Sequence, residues 1–311
     1  MIKKIKKITS AELLEILTEY DQRVVFDQTN VIPDENELLE KLNKYIDNQN
    51  INDKSVLGID IYKYSLYGEF EQSLIPFVFK IFLKMTIKLC LKNHRYIFQK
   101  YSSENIEDYF IDAGDGGYFI FDTPLHSLLF ASNFAVVLRT YNSFHLFPKL
   151  SKIIGGLSTR YAITYDKIYN FDNNFFGRAI INNARILIKD NLNRCLIDQN
   201  AHSWFTINME GFENLQIITI ADIVNIYEFN KYYDITVLND YPDEIFSRDP
   251  SRIYGIINSD ILKIGKITSK ESELNIYNLH LQACIKLVSD DDESRQKLIT
   301  ISLGNLNTTG I

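Results

Sequence analysis

Apolar and polar positions follow one another along the chain in a pattern that predicts the order of its elements. A helix capped by Ser10 is predicted first, and a second helix is predicted to open at Pro33. The Asn-rich residues 48–54 are typical of a linker. A buried strand over 55–64 and a helix over 73–93 are predicted next. Lysines at every fourth position form one stripe on this helix, which favours packing on a sheet over a membrane span.

The stretch 109–122, YFIDAGDGGYFIFD, has two apolar runs around an acidic, glycine-rich turn and predicts a β-hairpin. A second apolar helix is predicted to start at Pro124, because proline suits the first turn of a helix. A strand over 159–169, a helix over 176–190 and a short strand over 194–198 are predicted to follow. The order is β-α-β-β-α-β plus an appended helix and strand, which predicts an α+β protein with the ferredoxin-like arrangement.

These changes of pattern divide the chain into three predicted segments. They are an N-terminal helical segment (1–52), a central domain with the ferredoxin-like fold (53–204) and a C-terminal β-rich extension (205–311). Within the extension, strand-like runs cover 215–229 and 232–240, and the acidic run at 289–294 predicts a solvated loop. The pattern assigns the extension no role.

Composition narrows the range of functions. The chain has 311 residues, 46% of them hydrophobic, and a net charge of −7, which argues against broad binding of nucleic acid or of an anionic membrane. Its three cysteines and five histidines lack the spacing of a disulfide framework or a zinc site. The basic N-terminus is not followed by an apolar stretch, so no signal peptide is predicted and a cytoplasmic location is expected.

Two carboxylates carry the candidate chemistry. Asp60 interrupts the apolar run of the first strand, and Asp115 lies at the hairpin turn between glycines. The first strand of this fold lies beside the hairpin, so the two carboxylates should come close together and repel each other. Two Mg²⁺ or Mn²⁺ ions would relieve that repulsion and bind phosphates, and the adjacent glycines would let a nucleotide approach the backbone. Alternatively, Asp60 is a solvated strand-end residue and Asp115 only forms the turn.

The arrangement resembles that of the class III nucleotidyl cyclases. Their first metal motif is matched by Asp60 to Ser65, and their second metal aspartate by Asp115, which follows a glycine in a hairpin. Gly177 stands before a helix that carries Arg185 eight positions later, as in that family. In residue spacing and character, residues 159–198 are similar to the corresponding part of the pyrimidine nucleotide cyclases of bacterial anti-phage (Pycsar) systems.

This resemblance implies an activity and partners. The substrate would be UTP, or less readily CTP, and the products a 3′,5′-cyclic monophosphate and pyrophosphate. The cyclic nucleotide would activate a separate effector protein, and the enzyme would be a homodimer whose active sites combine residues of both subunits.

The resemblance also implies roles for particular residues. The metal ligands would be Asp60, Asp115 and the backbone of Ile61; the phosphates would meet Tyr62, Lys63, Tyr64 and Ser65; catalysis would use Arg185 and Asn182; and Ile111 and Asn174 would face the base. The family's asparagine stands four residues before its arginine, where this chain has Ile181, and Asn182 is the neighbour that shares a helical face with Arg185. Ile111 replaces a charged purine reader, whereas the amide of Asn174 can both donate and accept.

Two other functions remain open, and a third is considered and does not fit. An adenylate or guanylate cyclase would share the metal site, and an inert cyclase-like module would bind a nucleotide without turnover. A diguanylate-cyclase or polymerase-palm protein also places two carboxylates on such a sheet. Its hairpin signature has two glycines before the carboxylate, and here Ala113 and Gly114 precede Asp115, so that signature fails.

Overall fold

The computed structural model describes residues 9–20, 36–45, 51–171, 174–208, 235–236, 255–269, 272–289 and 292–311. Two N-terminal helices come first, α1 (Ser10–Tyr20) and α2 (Asn36–Tyr45). The predicted cap of α1 is wrong by one residue. Thr9 Oγ1 accepts the N–H of Glu12 at 3.2 Å, and the Glu12 carboxylate accepts the N–H of Thr9 at 2.9 Å. This reciprocal pair is a capping box, so Ser10 is the first residue of the helix rather than its cap.

The central elements are β1 (Asn52–Ile61), α3 (Glu69–Asn93), β2 (Phe110–Asp112), β3 (Gly116–Phe121), α4 (Pro124–Asn142), α5 (Pro148–Ile154) and β4 (Thr159–Phe171). Their strands lie in the order β4-β1-β3-β2, with β1 antiparallel to both β4 and β3. This is the predicted ferredoxin-like order, and the α+β fold is confirmed. The linker prediction is wrong at its end, because Asn52 already pairs with Ile168 of β4.

A second group of elements follows β4, namely β5 (Asn174–Gly177), α6 (Arg178–Lys189), β6 (Cys195–Asp198) and α7 (Gln199–Asn208). The appended helix and strand are therefore present, and β6 pairs with β4 in parallel. The start of the predicted helix is wrong, because residues 174–177 return as a strand beside β4. Gly177 makes the change of direction at φ 146°, and a Cβ there would lie 2.3 Å from the carbonyl oxygen of Lys167.

The main core lies between the sheet and helices α3 and α4. Phe79 and Phe82 of α3 meet Phe134 of α4, with ring centroids 5.5 and 6.1 Å from that of Phe134. The predicted lysine stripe of α3 is exposed to solvent, as a helix packed on a sheet requires. On the other face of the sheet, α6 packs against β1 and β4. None of the helices within the described ranges has the length and apolar character needed to cross a membrane.

The extension supplies β7 (Ile235–Thr236), β8 (Gly255–Ser269), β9 (Ser272–Ser289) and β10 (Asp292–Leu303). Strand β9 pairs with β6, so the extension continues the central sheet. The solvated-loop prediction is wrong for residues 292–294, which belong to β10. The runs predicted at 215–229 and 232–240 lie outside the described residues, apart from β7.

Candidate active site

The two predicted metal ligands lie at the same end of the sheet. Asp60 is the penultimate residue of β1 and faces Gly116 of β3 across the ladder. The backbone of the next residue, Ile61, donates its N–H to the carbonyl of Asp115 at 3.2 Å. The antiparallel pairing of β1 with the hairpin therefore places the two aspartates side by side.

The glycines around Asp115 serve the packing of the hairpin. A Cβ on Gly116 would lie 2.3 Å from the carbonyl oxygen of Ile59, and a Cβ on Gly117 would lie 2.3 Å from the Phe110 ring. Both positions thus require glycine because neighbouring strands and rings come close. Gly114, at φ 93°, has open space around it, since a Cβ there would have no atom within 4 Å. Of the three, only Gly114 leaves room that a nucleotide could enter.

An arginine that sequence reasoning missed neutralises Asp60. Arg160 faces Asp60 across β1 and β4, and its Nε donates to Asp60 Oδ2 at 2.5 Å. Burial raises the pKa of Asp60 above its ordinary value; Arg160 opposes this shift and the neighbouring charge of Asp115 adds to it. The carboxylate of Asp115 has no hydrogen-bond or ion-pair partner among the described residues.

Tyr118 is a second residue that the sequence did not single out. It lies on β3, half-buried, and packs against the clusters beneath α6. Burial raises the pKa of Tyr118, and the charges of Asp60 and Asp115 raise it further. Tyr118 faces Gly58 of β1 and lies two residues from Gly116, which faces Asp60. The alternation of residues along β3 could have identified Tyr118, since Tyr118 and Ile120 lie on the same face of that strand.

The predicted phosphate-binding turn follows β1 directly. The N–H of Tyr62 donates to the carbonyl of Ser158 at 2.8 Å, and its hydroxyl donates to the carbonyl of Asn191 at 2.9 Å. Lys63 is exposed and takes a left-handed conformation with φ 57° and ψ 35°. The hydroxyl of Tyr64 donates to the carbonyl of Gln72 at 2.7 Å. The N–H of Tyr62 is thereby engaged within the protein, whereas Lys63 and Ser65 are exposed to solvent.

The neighbouring residues Asn182 and Asn183 of helix α6 have different environments. Asn183 is fully buried, and its Nδ2 donates to the carbonyls of Val56 and Ala162 at 2.8 and 2.9 Å. Its role is to hold the helix on the sheet. Asn182 is 8% exposed and Arg185 is half-buried, and neither side chain has a hydrogen-bond partner among the described residues.

The predicted base-facing residues lie near one small aromatic cluster. Ile111 on β2 and Phe175 on β5 both pack against the buried cluster that contains Ile120. The rings of Tyr109 and Phe175 are stacked, with centroids 6.1 Å apart. Asn174 is exposed beside Phe175, and its Oδ1 accepts the N–H of that residue at 3.0 Å. The structure therefore brings the positions of Ile111 and Asn174 to the same edge of the domain.

The oxygen donors at this end of the sheet suit a divalent metal that arrives with a substrate. No group of three or more His, Cys, Asp or Glu side chains that could hold a metal ion occurs within the described part of the chain. Two carboxylates and the carbonyl of Ile61 are hard oxygen donors, which Mg²⁺ and Mn²⁺ prefer. Mg²⁺ is commonly held by one or two carboxylates together with substrate phosphates. The residues present therefore fit ions bound together with a nucleotide, rather than a cage made by protein alone.

The fold is similar to that of solved cyclase domains at low sequence identity. An adenylate/guanylate cyclase/hydrolase from Silicibacter pomeroyi has 12% identity and a TM-score of 0.38, covering 73% of this chain and 96% of its own. The adenylyl cyclase CyaB from P. aeruginosa has 13% identity and a TM-score of 0.39, covering 73% and 93%. A bacterial light-regulated adenylyl cyclase has 10% identity and a TM-score of 0.40, covering 86% and 62%.

Searches by sequence give no relative, since no protein-family model and no curated protein matches the chain. The structural similarity concerns the fold alone. Any function must therefore be argued from the residues of this chain.

Proposed function

We propose that this protein is a nucleotide cyclase that converts UTP, or less readily CTP, into the 3′,5′-cyclic monophosphate and pyrophosphate. The observation that carries the proposal is the pairing of Asp60 with Asp115 at the end of β1, directly before an exposed turn. Two adjacent carboxylates beside a left-handed turn with exposed residues suit a metal-bound triphosphate.

Each residue would have a separate task in the reaction. Asp60, Asp115 and the carbonyl of Ile61 would hold Mg²⁺ or Mn²⁺ ions, which supply charge neutralisation and a lower pKa for the ribose 3′-hydroxyl. Lys63 and Ser65, with the backbone of the turn, would bind the β- and γ-phosphates. The 3′-oxygen then bonds to the α-phosphorus, the bond from that phosphorus to the bridging oxygen breaks, and the hydroxyl proton passes to solvent.

Charge that develops at the α-phosphoryl group needs a further cation. Arg185 has no partner within the described residues of its own chain, which supports its use by the active site of a second subunit. Asn182, one turn earlier on α6, would orient the nucleotide beside it. We therefore propose a homodimer with composite sites. A cyclic-nucleotide-responsive effector would act downstream of the product, in anti-phage defence.

The base preference follows from the edge that Ile111 and Asn174 share. Ile111 offers no hydrogen bond through its side chain, and the stacked Tyr109 and Phe175 occupy space beside it. A pocket narrowed by aromatic rings favours the smaller pyrimidine ring. Asn174 would pair with the base edge through its amide.

Product analysis tests the proposal. Each of the four nucleoside triphosphates would be incubated with the chain and Mn²⁺, and the products identified by mass; Asp115→Asn serves as the control. Cyclic UMP as the main product, absent with the control variant, is the expected result. A purine cyclic nucleotide as the main product would refute the pyrimidine preference and leave a cyclase. No cyclic product from any triphosphate would refute the cyclase.

One observation favours a second function, that of a nucleotide-binding module without turnover. Arg160 already pairs with Asp60 and could remove it from the metal site. Such a module would bind a triphosphate equally well with and without Mn²⁺. A cyclase would bind it more tightly with Mn²⁺, and Asp115→Asn would abolish the difference.

A further inference from the structure

The loop between α6 and β6, residues 190–194, supports the candidate site at two points. The carbonyl of Asp190 accepts a hydrogen bond from Arg160 Nη1 at 2.6 Å. The carbonyl of Asn191 accepts the hydroxyl of Tyr62 at 2.9 Å. Arg160 is the residue paired with a predicted metal ligand, and Tyr62 begins the predicted phosphate turn. The loop therefore sets the position of groups on both sides of the site.

A buried ion pair holds this loop. Asp190 and Arg194 are each 1% exposed, and both Nε and Nη2 of Arg194 lie 2.8 Å from Asp190 Oδ1. Buried charges of this kind need all their donors and acceptors engaged. The remaining nitrogen, Nη1, donates to the carbonyl of Thr309 at 2.7 Å and contacts that of Asn307 at 3.4 Å. Residues distant in sequence thus supply the remaining hydrogen-bond acceptors of Arg194.

These residues belong to segment 305–311, which lies across the loop and is tied to it by side chains. Asn305 Nδ2 donates to Asn193 Oδ1 at 3.0 Å. Asn278 of β9 is 2% exposed and donates to the carbonyl of Asn305 at 2.8 Å. Ile311 packs against the buried cluster that includes Leu187 of α6. Polar and apolar contacts therefore seat the segment on the side of the sheet that carries α6.

We propose that segment 305–311 positions the active site. Through Arg194 it fixes the 190–194 loop, and the loop in turn fixes Arg160 and Tyr62. Arg194 is a positioning residue, since it contacts neither of the predicted metal ligands. The inference rests on the proposed function, because it takes Arg160 and Tyr62 as neighbours of metal and phosphate.

Three variants separate positioning from folding. Arg194→Met leaves the buried carboxylate of Asp190 without its cationic partner and should lower the melting temperature strongly. Asp190→Asn combined with Arg194→Met removes both charges and should recover much of that loss. Lys266→Ala is the control, because it breaks only the exposed pair with Glu273 in the β8–β9 hairpin.

Two measurements are made on each variant. Hydrogen exchange of the Tyr161 amide reports on the loop, because Tyr161 donates its N–H to the carbonyl of Arg194 at 2.8 Å. Exchange of the Tyr62 amide, which donates to the carbonyl of Ser158, reports on the start of the predicted phosphate turn, which the loop contacts through the Tyr62 hydroxyl. The dissociation constant for Mn²⁺, measured with a 3′-deoxynucleoside triphosphate that cannot cyclise, reports on the metal site. In the double variant we expect faster exchange at both amides and Mn²⁺ affinity weaker by about 10- to 100-fold, although its melting temperature recovers. The control should behave as the unaltered protein.

The outcomes distinguish this inference from the proposed function. A double variant with restored melting temperature, unaltered exchange and unaltered Mn²⁺ affinity would show that Arg194 only stabilises the fold, and the inference would be wrong. If the unaltered chain binds no Mn²⁺, the proposed function fails, and exchange alone decides: faster exchange supports positioning of the loop, and unchanged exchange overturns it.

Replacing segment 305–311 by a glycine–serine sequence of equal length tests the segment directly. The replacement removes the side chain of Asn305 and the packing of Ile311. It should speed exchange at Tyr62 and weaken Mn²⁺ binding in the same way as the double variant. Unaltered exchange and Mn²⁺ affinity in this protein would overturn the inference.

Discussion

Asp198 should make the stability of the protein depend on pH in a direction opposite to that of most aspartates. It ends β6 and caps α7, where its Oδ1 accepts the N–H of Ala201 at 2.8 Å. Only 1% of the residue is exposed. Burial raises its pKa to about 7, and a nearby charge, Asp166, adds to the shift, while backbone hydrogen bonds from Ala201 and Tyr165 oppose it.

The sign and size of this pH dependence of stability follow from proton linkage. An unfolded aspartate loses its proton near the ordinary value of 3.8, whereas the folded protein keeps it until about pH 7. The contribution to stability is thus fully present below the unfolded pKa and is lost as pH rises through the folded pKa. At about 1.4 kcal/mol for each unit, the loss is roughly 4 kcal/mol in total, of which roughly 3 kcal/mol falls between about pH 5 and about pH 8.

Asp198→Asn tests this reasoning, because an amide does not ionise. Its oxygen can still accept the N–H of Ala201, but its nitrogen cannot accept the N–H of Tyr165, which costs about 1 kcal/mol at every pH. Urea unfolding at several pH values should therefore show the variant less stable than the unaltered protein at acid pH and more stable at alkaline pH. Asp108→Asn, at an exposed position, is the control. Parallel pH profiles for Asp198→Asn and the unaltered protein would refute the argument.

Three further predictions concern the site. Asp60→Asn and Asp115→Asn should each abolish turnover while the far-ultraviolet circular dichroism is retained, and normal turnover in either would exclude the metal mechanism. Mixing inactive Asp115→Ala and Arg185→Ala chains should restore part of the activity, because some heterodimers have one intact site; no recovery after confirmed subunit exchange would indicate a site within one chain. Gly116→Ala should lower the free energy of unfolding by about 1–3 kcal/mol, because the added carbon clashes with β1. Gly156→Ala is the control, since its added carbon makes only an ordinary contact at 3.6 Å. Equal stability of the two variants would contradict the packing role of Gly116.

Local patterns were sufficient to predict most of the central fold. The lysine stripe of α3 and the proline that begins α4 are signals carried within each element, and both helices are present. Strand β5 lacked such a signal. Phe176 precedes a glycine and an apolar helix, so the predicted helix was extended to include it. The pairing of Phe175 and Phe176 with β4 depends on residues earlier in the chain.

The proximity of Asp60 to Asp115 was predictable for a reason that does not extend to Arg160. The order of elements alone brings β1 beside the hairpin, and this suffices to place Asp60 near Asp115. The ion pair of Asp60 with Arg160 depends on the register of β1 against β4, in which these two residues face each other. A shift of one residue would move the arginine to the other face of the sheet, and the apolar pattern of one strand does not specify that register.

The two asparagines of α6 show how packing decides between neighbouring residues. Successive residues of a helix are rotated by about 100°, so only one of Asn182 and Asn183 can face the sheet. Gly58 of β1 selects Asn183, since a Cβ at that position would lie 2.1 Å from Asn183 Oδ1. With Asn183 bound to the carbonyls of Val56 and Ala162, the rotation of α6 is fixed. Asn182 therefore does not share the contacts of Asn183 with β1 and β4, although it is itself only 8% exposed.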